Sequence, residues 1–365
     1  MYEQNVNNIN FDVEQLETAS GQSLYYIAWS IFRQHGFFEQ FNIPEPIFLR
    51  WLKKVQHGYR GTNPYHNAVH ASDVTHSMHF FVTRARIWSV LTPEEKLASI
   101  IAPIIHDYMH PGVNNAFLIT TRDALTMRYN DLSVLENFHC ASVLEFTQEE
   151  QYNLFVNMTV DQRKLVREMV ISMVLATDMA AHFEWIGKFK NKMSGSGFNF
   201  ENKADRKIML NMAIKCADVN NPTKPLEQSK RWTELIMEEF FRQGDIERSR
   251  GIPISMFMNR ETTDIPKCQI GFIDFIAQPL FDAWYSFMQE DIQILMDNIK
   301  GNKNYWKNKS EKVSFGPIKP TPSSTESLSN TAKASALAIP PGSNIQTSVS
   351  TQQITNTKSS DSLAR

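Results

Sequence analysis

The sequence feature that most restricts the fold is a set of histidines spaced one helical turn apart. His66 and His70 lie four positions apart, and so do His106 and His110, with Asp107 directly after His106. On an α-helix, residues at i and i+4 share one face. Four of the chain's ten histidines fall in these two short segments. Paired imidazoles beside a carboxylate predict a metal site.

A metal site built this way depends on how helices pack. The candidate ligands His70, His106, Asp107 and Asp218 are spread from residue 70 to residue 218, so several helices must assemble before the site exists. Imidazole and carboxylate ligands without a nearby thiolate suit a catalytic divalent site better than a closed structural zinc site. An aspartate such as Asp107 can also bridge two metals about 3.5–4 Å apart.

Apolar periodicity at helical spacing predicts an all-α fold, since no strand-like alternation competes with it. Asn63-Pro64 and Thr92-Pro93 each have a capping side chain followed by proline, which predicts two helix starts. The predicted helices occupy, in order, residues 11–38 in pieces, 47–55, 63–82, 92–106, 133–146, 159–177, 204–217, 226–243 and 269–299.

The chain is predicted to hold one compact multi-helix domain at residues 15–312, after a short N-terminal extension at 1–14. From residue 321 to residue 365, 18 of the 45 residues are Ser or Thr and none is aromatic. Such a composition buries too little apolar surface to offset chain entropy, so residues 313–365 are predicted to be a disordered tail. The tail is a possible interaction segment, and the sequence identifies no protein partner.

Charge and cysteine usage exclude several classes of protein. The formal net charge of -2 disfavours a nucleic-acid binder that relies on broad positive charge. Three widely separated cysteines predict a reducing compartment and no disulfide framework. No signal peptide or transmembrane segment is apparent, so a cytoplasmic location is expected.

Six short motifs follow one another in an order that is known from one enzyme family. They are Tyr65-His66-Asn67 with His70, His106-Asp107 with His110-Pro111-Gly112, Ser133-Val134-Leu135-Glu136-Asn137, Ala176-Thr177-Asp178, Cys216-Ala217-Asp218 and Gln269-Ile270-Gly271-Phe272. In this order they resemble the catalytic domain of the class I 3′,5′-cyclic nucleotide phosphodiesterases, an HD-type metallohydrolase fold. The resemblance covers roughly residues 15 to 310. The segments at 221–226 and 237–245 look closest to the cAMP-specific type 4 subfamily.

The resemblance implies a set of metal ligands and a proton donor. It implies that zinc is held by His70, His106, Asp107 and Asp218, and that Asp107 bridges to a second cation, Mg²⁺ or Mn²⁺. By the same resemblance, His66 is the general acid that protonates the departing O3′ of a cyclic nucleotide. Glu239 is implied to orient His66.

The resemblance also implies substrate contacts and groups that hold metal-bound waters. Gln269 is expected to hydrogen-bond the purine edge, with Phe272 and Ile236 clamping its two faces. Asn221 and Tyr65 are the other expected substrate contacts. Three further side chains are expected to hold metal-bound waters: His110, Glu136 and Thr177.

Two positions depart from the usual pattern of the family. Met109 stands where most members have an aspartate, and Phe138 stands where many have the first of two histidines. Neither replaces an expected zinc ligand or the general acid. Because both lie near the expected second cation, we predict a working but slower enzyme. Four other histidines are interpreted as structural or solvated: His76, His79, His139 and His182.

The predicted activity is metal-dependent hydrolysis of a 3′,5′-cyclic nucleotide, with cAMP favoured over cGMP. One alternative is a cGMP or dual-specificity enzyme, since the Gln269 amide can present either hydrogen-bond polarity if it rotates. Another is a different HD-type metallohydrolase, which a basic phosphate-binding cluster near the metal would favour. A third is a catalytically impaired nucleotide-binding or scaffold protein, which would bind nucleotide without turnover.

Overall fold

The structure is a computed structural model that describes residues 2, 4–84 and 87–314. Over these residues it is helical with no β-strand, which confirms the all-α prediction. From residue 315 onward, the predicted disordered tail lies outside the described residues. The helices of the first half are α1 (Val13–Ser20), α2 (Ser23–Gln34), α3 (Phe37–Gln40), α4 (Glu45–Gly58), α5 (Ala68–Thr83), α6 (Ile87–Val90), α7 (Pro93–Ile105), α8 (Asn115–Thr120), α9 (Ala124–Tyr129) and α10 (Val134–Phe146).

The second half contains longer helices and short irregular turns. They are α11 (Val160–Thr177), α12 (His182–Ser194), α13 (Lys203–Asp218), α14 (Leu226–Ser249), α15 (Ile265–Phe272), α16 (Gln278–Met288) and α17 (Gln293–Ser314). The prediction of one continuous helix over 269–299 is wrong. A π-helical segment at Ile273–Ala277 and a 3-10 turn at Gln289–Ile292 interrupt it. Pro279 has no amide hydrogen, so the regular helical hydrogen-bond ladder cannot continue through this point.

The predicted helix start at Asn63-Pro64 is also wrong. Helix α5 begins at Ala68, and the Asn67 side chain caps it by accepting from the amide of Val69 at 2.9 Å. Asn63 instead donates to the carbonyl oxygens of His66, at 2.9 Å, and His110, at 2.8 Å. His66 therefore lies in the loop before α5 and does not share a helix face with His70.

The second histidine pair does not lie on one helix either. Helix α7 ends at Ile105, and His106 is its C-terminal cap. The next residues form a turn in which the amide of His110 donates to the carbonyl of Asp107 at 3.0 Å. Met109 has φ +61° and Gly112 has φ +80°, both left-handed values that end helical progression. In both pairs, the four-residue spacing therefore does not reflect a shared helix face, because His66 lies in a loop and His110 lies in a turn.

Helix α5 packs against α2, α7 and α13. Every residue from His70 to Val82 is buried, so its polar side chains must find partners inside the protein. Asp73 pairs with the Lys224 ammonium at 2.6 Å and accepts from the Asn220 amide at 2.9 Å. This buried ion pair joins α5 to the chain that follows Asp218.

The described part of the N-terminal extension packs against α5 through His76. The Tyr2 hydroxyl donates to His76 Nδ1 at 3.0 Å, and His76 Nε2 donates to the carbonyl of Asn8 at 2.8 Å. Tyr2 and Phe11 are buried and meet edge to face, with ring centroids 5.3 Å apart. This contact places a neutral imidazole beneath the N-terminal segment.

We expect His76 to make the fold acid-sensitive. Burial and the nearby Lys224 cation lower the pKa of His76 from 6.5 to about 4. Between pH 6.5 and 4 the unfolded chain binds a proton that the folded chain does not, so the free energy of unfolding falls as the pH falls. His76→Gln removes this proton and should flatten the acid slope, measured by urea unfolding, by up to about 1.4 kcal/mol per pH unit. Equal slopes for the two proteins would contradict the assignment to His76.

Two further sequence predictions concern the protein's environment. Within the described residues, no single helix is long and apolar enough to span a membrane. Helices 160–177 and 179–194 pass that test only as a pair, across an 82° bend. Cys140, Cys216 and Cys268 are free and buried, as expected for a chain without a disulfide framework.

Candidate metal centre and active site

Four side chains from three helices meet at one point. His70 comes from the first turn of α5, His106 from the C-terminal cap of α7, Asp107 from the turn that follows it, and Asp218 from the last residue of α13. His70 Nε2 lies 3.2 Å from Asp218 Oδ1 and 3.5 Å from Asp107 Oδ2. His106 Nε2 lies 3.2 Å from Asp107 Oδ2 and 3.5 Å from Asp218 Oδ1, and the two Nε2 atoms are 3.3 Å apart. Four ligands at 2.0–2.2 Å in a tetrahedron would be separated by about 3.4 Å, so this set fits one divalent cation.

The hydrogen bonding of His106 fits the same role. Its Nδ1 donates to the carbonyl of Pro103 at 2.8 Å, which leaves a lone pair on the Nε2 that faces the carboxylates. Burial opposes the charged form of this imidazole, yet the carboxylates of Asp107 and Asp218 raise the pKa of His106 well above its usual value. The cluster therefore strongly stabilises positive charge, which a divalent cation supplies.

His66 is held beside this cluster by Glu239 of α14. Its Nδ1 contacts Glu239 Oε1, while Glu239 Oε2 accepts from the backbone amides of Tyr65 and His66 at 3.0 Å each. His66 Nε2 lies 4.0 Å from Asp107 Oδ2, so its free nitrogen is on the metal side. Burial disfavours the imidazolium, but the carboxylates of Glu239 and Asp107 outweigh it and raise the pKa of His66 to about 9.

Two more histidines lie at the site, one of which sequence reasoning missed. The His110 ring stacks on the His66 ring, with centroids 4.0 Å apart. His139 of α10, interpreted from sequence as structural, is buried with its Nε2 3.6 Å from Asp107 Oδ1. His139 lies three residues after Glu136, on the same face of a helix, and this spacing could have indicated from the sequence that it belongs to the site.

Glu136 and Thr177 make their hydrogen bonds to other neighbours. Glu136 accepts from the Asn115 amide at 3.0 Å, and burial, with help from the Asp178 charge, raises its pKa to about 7. The Thr177 hydroxyl donates to the carbonyl of Val174 at 2.7 Å. The predicted role of both in holding metal-bound water stays a prediction.

The expected substrate contacts lie on the chain after Asp218 and on α14 and α15. The Asn221 amide donates to the Tyr65 hydroxyl at 2.7 Å, and the Tyr65 ring centroid is 4.5 Å from that of the ligand His70. Gln269 is buried, with its Oε1 3.3 Å from the Thr233 hydroxyl. The two expected clamp residues, Ile236 and Phe272, are half-buried apolar side chains packed against the core.

The two residues that depart from the family pattern are both half-buried. Met109 is half-buried and packs against the core. The Phe138 ring lies 6.0 Å from the His139 ring. Neither side chain belongs to the four-ligand cluster.

Comparison with known proteins places this site in a family. Residues 65–299 match the family of 3′5′-cyclic nucleotide phosphodiesterases. The chain is 38% identical over 313 residues to mouse (Mus musculus) 3′,5′-cyclic-AMP phosphodiesterase 4C, a match that covers 84% of this chain and 46% of the relative. It is 37% identical to isoform F of the 3′,5′-cyclic-AMP phosphodiesterase of Drosophila melanogaster, covering 85% and 47%. The chain thus spans about half the length of these curated relatives.

A solved structure has the same fold over nearly its whole length. The phosphodiesterase domain of the RhoPDE fusion protein from the choanoflagellate Salpingoeca rosetta superposes with a TM-score of 0.79 at 33% identity. The match covers 85% of this chain and 96% of that domain. The likeness therefore extends over most of this chain and nearly all of that domain.

Proposed function

Because this chain belongs to the 3′,5′-cyclic nucleotide phosphodiesterase family, we propose that it hydrolyses a 3′,5′-cyclic nucleotide to the 5′-monophosphate, with cAMP favoured over cGMP. One observation carries the proposal: a four-ligand cluster lies 4.0 Å from a histidine that is itself held by a buried carboxylate. A cyclic phosphodiester is an anion with a poor alkoxide leaving group. Its hydrolysis needs charge neutralisation, a nucleophile and a proton donor, and the site offers residues suited to each need.

The metal ligands would be His70, His106, Asp107 and Asp218, with Asp107 shared between zinc and a second cation, Mg²⁺ or Mn²⁺. When bound, these cations would neutralise phosphate charge and activate water. Asp107 is suited to bridging because its two oxygens face different partners: Oδ2 lies 3.2 Å from His106 Nε2, and Oδ1 lies 3.6 Å from His139 Nε2. His110, Glu136 and Thr177 would position water around the second cation.

His66 would act as the general acid. Glu239 holds its Nδ1, so the proton on Nε2 points toward the reacting phosphate and can pass to the departing O3′. The Glu239 carboxylate beside Nδ1 favours the protonated imidazole, so His66 is suited to carry that proton. The same carboxylate fixes the backbone at residues 65 and 66 through two amide hydrogen bonds, so Glu239 sets both the charge and the position of the acid.

Gln269 would bind the purine edge between Phe272 and Ile236, with Asn221 and Tyr65 as further polar contacts. One observation supports a preference for cAMP: the curated relatives described above are named as cyclic-AMP enzymes.

The direct test is steady-state hydrolysis of cAMP and cGMP by the purified, metal-replete protein. We expect the kcat/KM for cAMP to exceed that for cGMP by at least about tenfold, which corresponds to roughly 1.4 kcal/mol of discrimination. A larger kcat/KM for cGMP would overturn the substrate preference. Binding without turnover of either nucleotide in excess Mg²⁺ or Mn²⁺ would overturn the enzymatic proposal in favour of a nucleotide-binding protein.

A further inference from the structure

Helix α4 carries a row of basic side chains along one face. They are Arg50, Lys53, Lys54 and His57. Their spacing of three, one and three residues places all four on the same side of the helix, on successive turns. They border an open groove, the α4 groove, with a volume of about 490 Å³, and none of the described residues that line it is acidic. Sites for small molecules typically have volumes in this range.

Two of the cations in the α4 groove have no carboxylate partner. Lys54 is neutralised by Glu149, with its Nζ 3.2 Å from Glu149 Oε1, and Glu149 and Glu150 line an adjoining hollow beside Arg50. Arg50 uses its Nε in a hydrogen bond to a backbone carbonyl, and Lys53 lies over an aromatic ring. Among the described residues, neither of these two side chains forms an ion pair. Like charges on neighbouring helical turns repel, and an anion bound between them would remove the repulsion.

The rest of the α4 groove consists of a glycine and two tyrosines. Gly58 is the last residue of α4, and a Cβ at this position would lie 2.0 Å from the Tyr108 ring. The absence of a side chain therefore lets Tyr108 lie directly against the end of the helix. Tyr152 also lines the groove, and its ring meets Phe146 edge to face at 5.7 Å. Within the part of the chain that the structure describes, neither tyrosine hydroxyl has a hydrogen-bond partner, so each can donate to a ligand.

We propose that the α4 groove binds a phosphate monoester, with the phosphate between Arg50 and Lys53. A phosphate monoester carries close to two negative charges at neutral pH and has three strong acceptor oxygens, which matches two unpaired cations with several donors. A guanidinium can bind two phosphate oxygens at once, whereas one carboxylate would neutralise only one of the two cations. The groove is larger than a phosphate group, so the organic part of the ligand has room against Tyr108 and Tyr152.

This site is distinct from the metal centre. The residues that line the α4 groove include none of the four metal-ligand residues, and they adjoin the centre only where Tyr108 follows Asp107 in the chain. The substrate of the proposed function is a phosphodiester with a single negative charge, so it is not the ligand expected here. Because Arg50, Lys53 and His57 are exposed, the phosphate monoester can come from a soluble molecule or from the headgroup of a phosphorylated lipid.

The test measures binding of one headgroup in two forms to the full-length, metal-replete protein. The soluble probe is inositol 1,4-bisphosphate, titrated by calorimetry. The membrane probe is phosphatidylcholine vesicles that contain phosphatidylinositol 4-phosphate, compared by co-sedimentation with vesicles in which unphosphorylated phosphatidylinositol supplies the same surface charge. Arg50→Gln/Lys53→Gln should weaken binding of the probe by at least about tenfold, and Lys53→Gln alone by about threefold. Phosphate held at the metal centre is common to all these proteins, so the differences report on the α4 groove.

Lys300→Gln/Lys307→Gln is the matched control, because it removes two exposed positive charges from α17 and should leave binding unchanged. Binding of the soluble probe alone identifies a small-molecule ligand, binding of the phosphorylated vesicles alone identifies a lipid, and either supports the site. Three results would overturn it: no binding of either probe by the wild type, unchanged affinity in both α4 variants, or equal weakening in the α17 control. Thermal unfolding checks that each variant is folded. Turnover of cyclic nucleotide is measured separately and should be unchanged, so either proposal can fail without the other.

Discussion

Asp107→Asn is expected to lose both metal ions and nearly all turnover. The two oxygens of Asp107 face different histidines, with His70 and His106 near Oδ2 and His139 near Oδ1. The amide keeps the size of the carboxylate but removes the negative charge that holds the cations together. Metals contribute several kcal/mol to transition-state stabilisation, and about 1.4 kcal/mol is a factor of ten in rate. We therefore expect kcat/KM to fall by at least about 10³-fold.

The measurement pairs metal analysis by mass spectrometry with steady-state kinetics on the same preparation. The matched control is Asp161→Asn, an exposed carboxylate in the first turn of α11, which should change neither metal content nor rate. Thermal unfolding of both variants separates loss of metal from loss of fold. An Asp107→Asn protein that still bound two metals and turned over within tenfold of wild type would remove Asp107 from the centre.

His66→Asn is expected to lose turnover but keep its metals. General acid catalysis is typically worth about 10²–10⁴-fold, so kcat for the cyclic nucleotide should fall by that range. His66 lies 4.0 Å from the nearest metal-ligand oxygen and is outside the four-ligand cluster, so metal content should stay at the wild-type value. This separation of metal binding from rate distinguishes His66 from Asp107.

A substrate with a better leaving group tests the chemical role of His66. A phosphodiester that releases 4-nitrophenolate needs little protonation, so the defect of His66→Asn should largely disappear with it. Asp107→Asn should remain defective toward both substrates, because charge neutralisation is needed in each case. An equal defect of His66→Asn with both leaving groups would mean that the residue positions the phosphate and does not donate the proton.

Local hydrogen bonds decided the parts of the fold that were predicted correctly. The Thr92-Pro93 start is confirmed, since the Thr92 hydroxyl accepts from the Glu95 amide and the Glu95 carboxylate accepts from the Thr92 amide. The start at Thr159 has the same reciprocal bonds with Gln162. Each cap is complete within four residues, so the residue types alone specify it.

The wrong predictions fall where distant groups compete with local signals. Asn63 and Pro64 have the right chemistry for a helix start, but Asn63 bonds to the carbonyl of His110, 47 positions away in the chain. That bond moves the start of α5 to Ala68 and leaves His66 in a loop, where Glu239 can reach it. No pattern within the segment indicates either partner.

The amino-acid sequence by itself determined the all-α class, the helix caps at Thr92 and Thr159 and the residue types available to hold a cation. Only the tertiary structure decided which nitrogen of each histidine is free and which carboxylate oxygen it faces. Backbone carbonyls fix those tautomers, Pro103 for His106 within one turn but Tyr108 for His139 from 31 positions away. A metal centre depends on such orientations, and they arise from contacts between helices that residue spacing does not record.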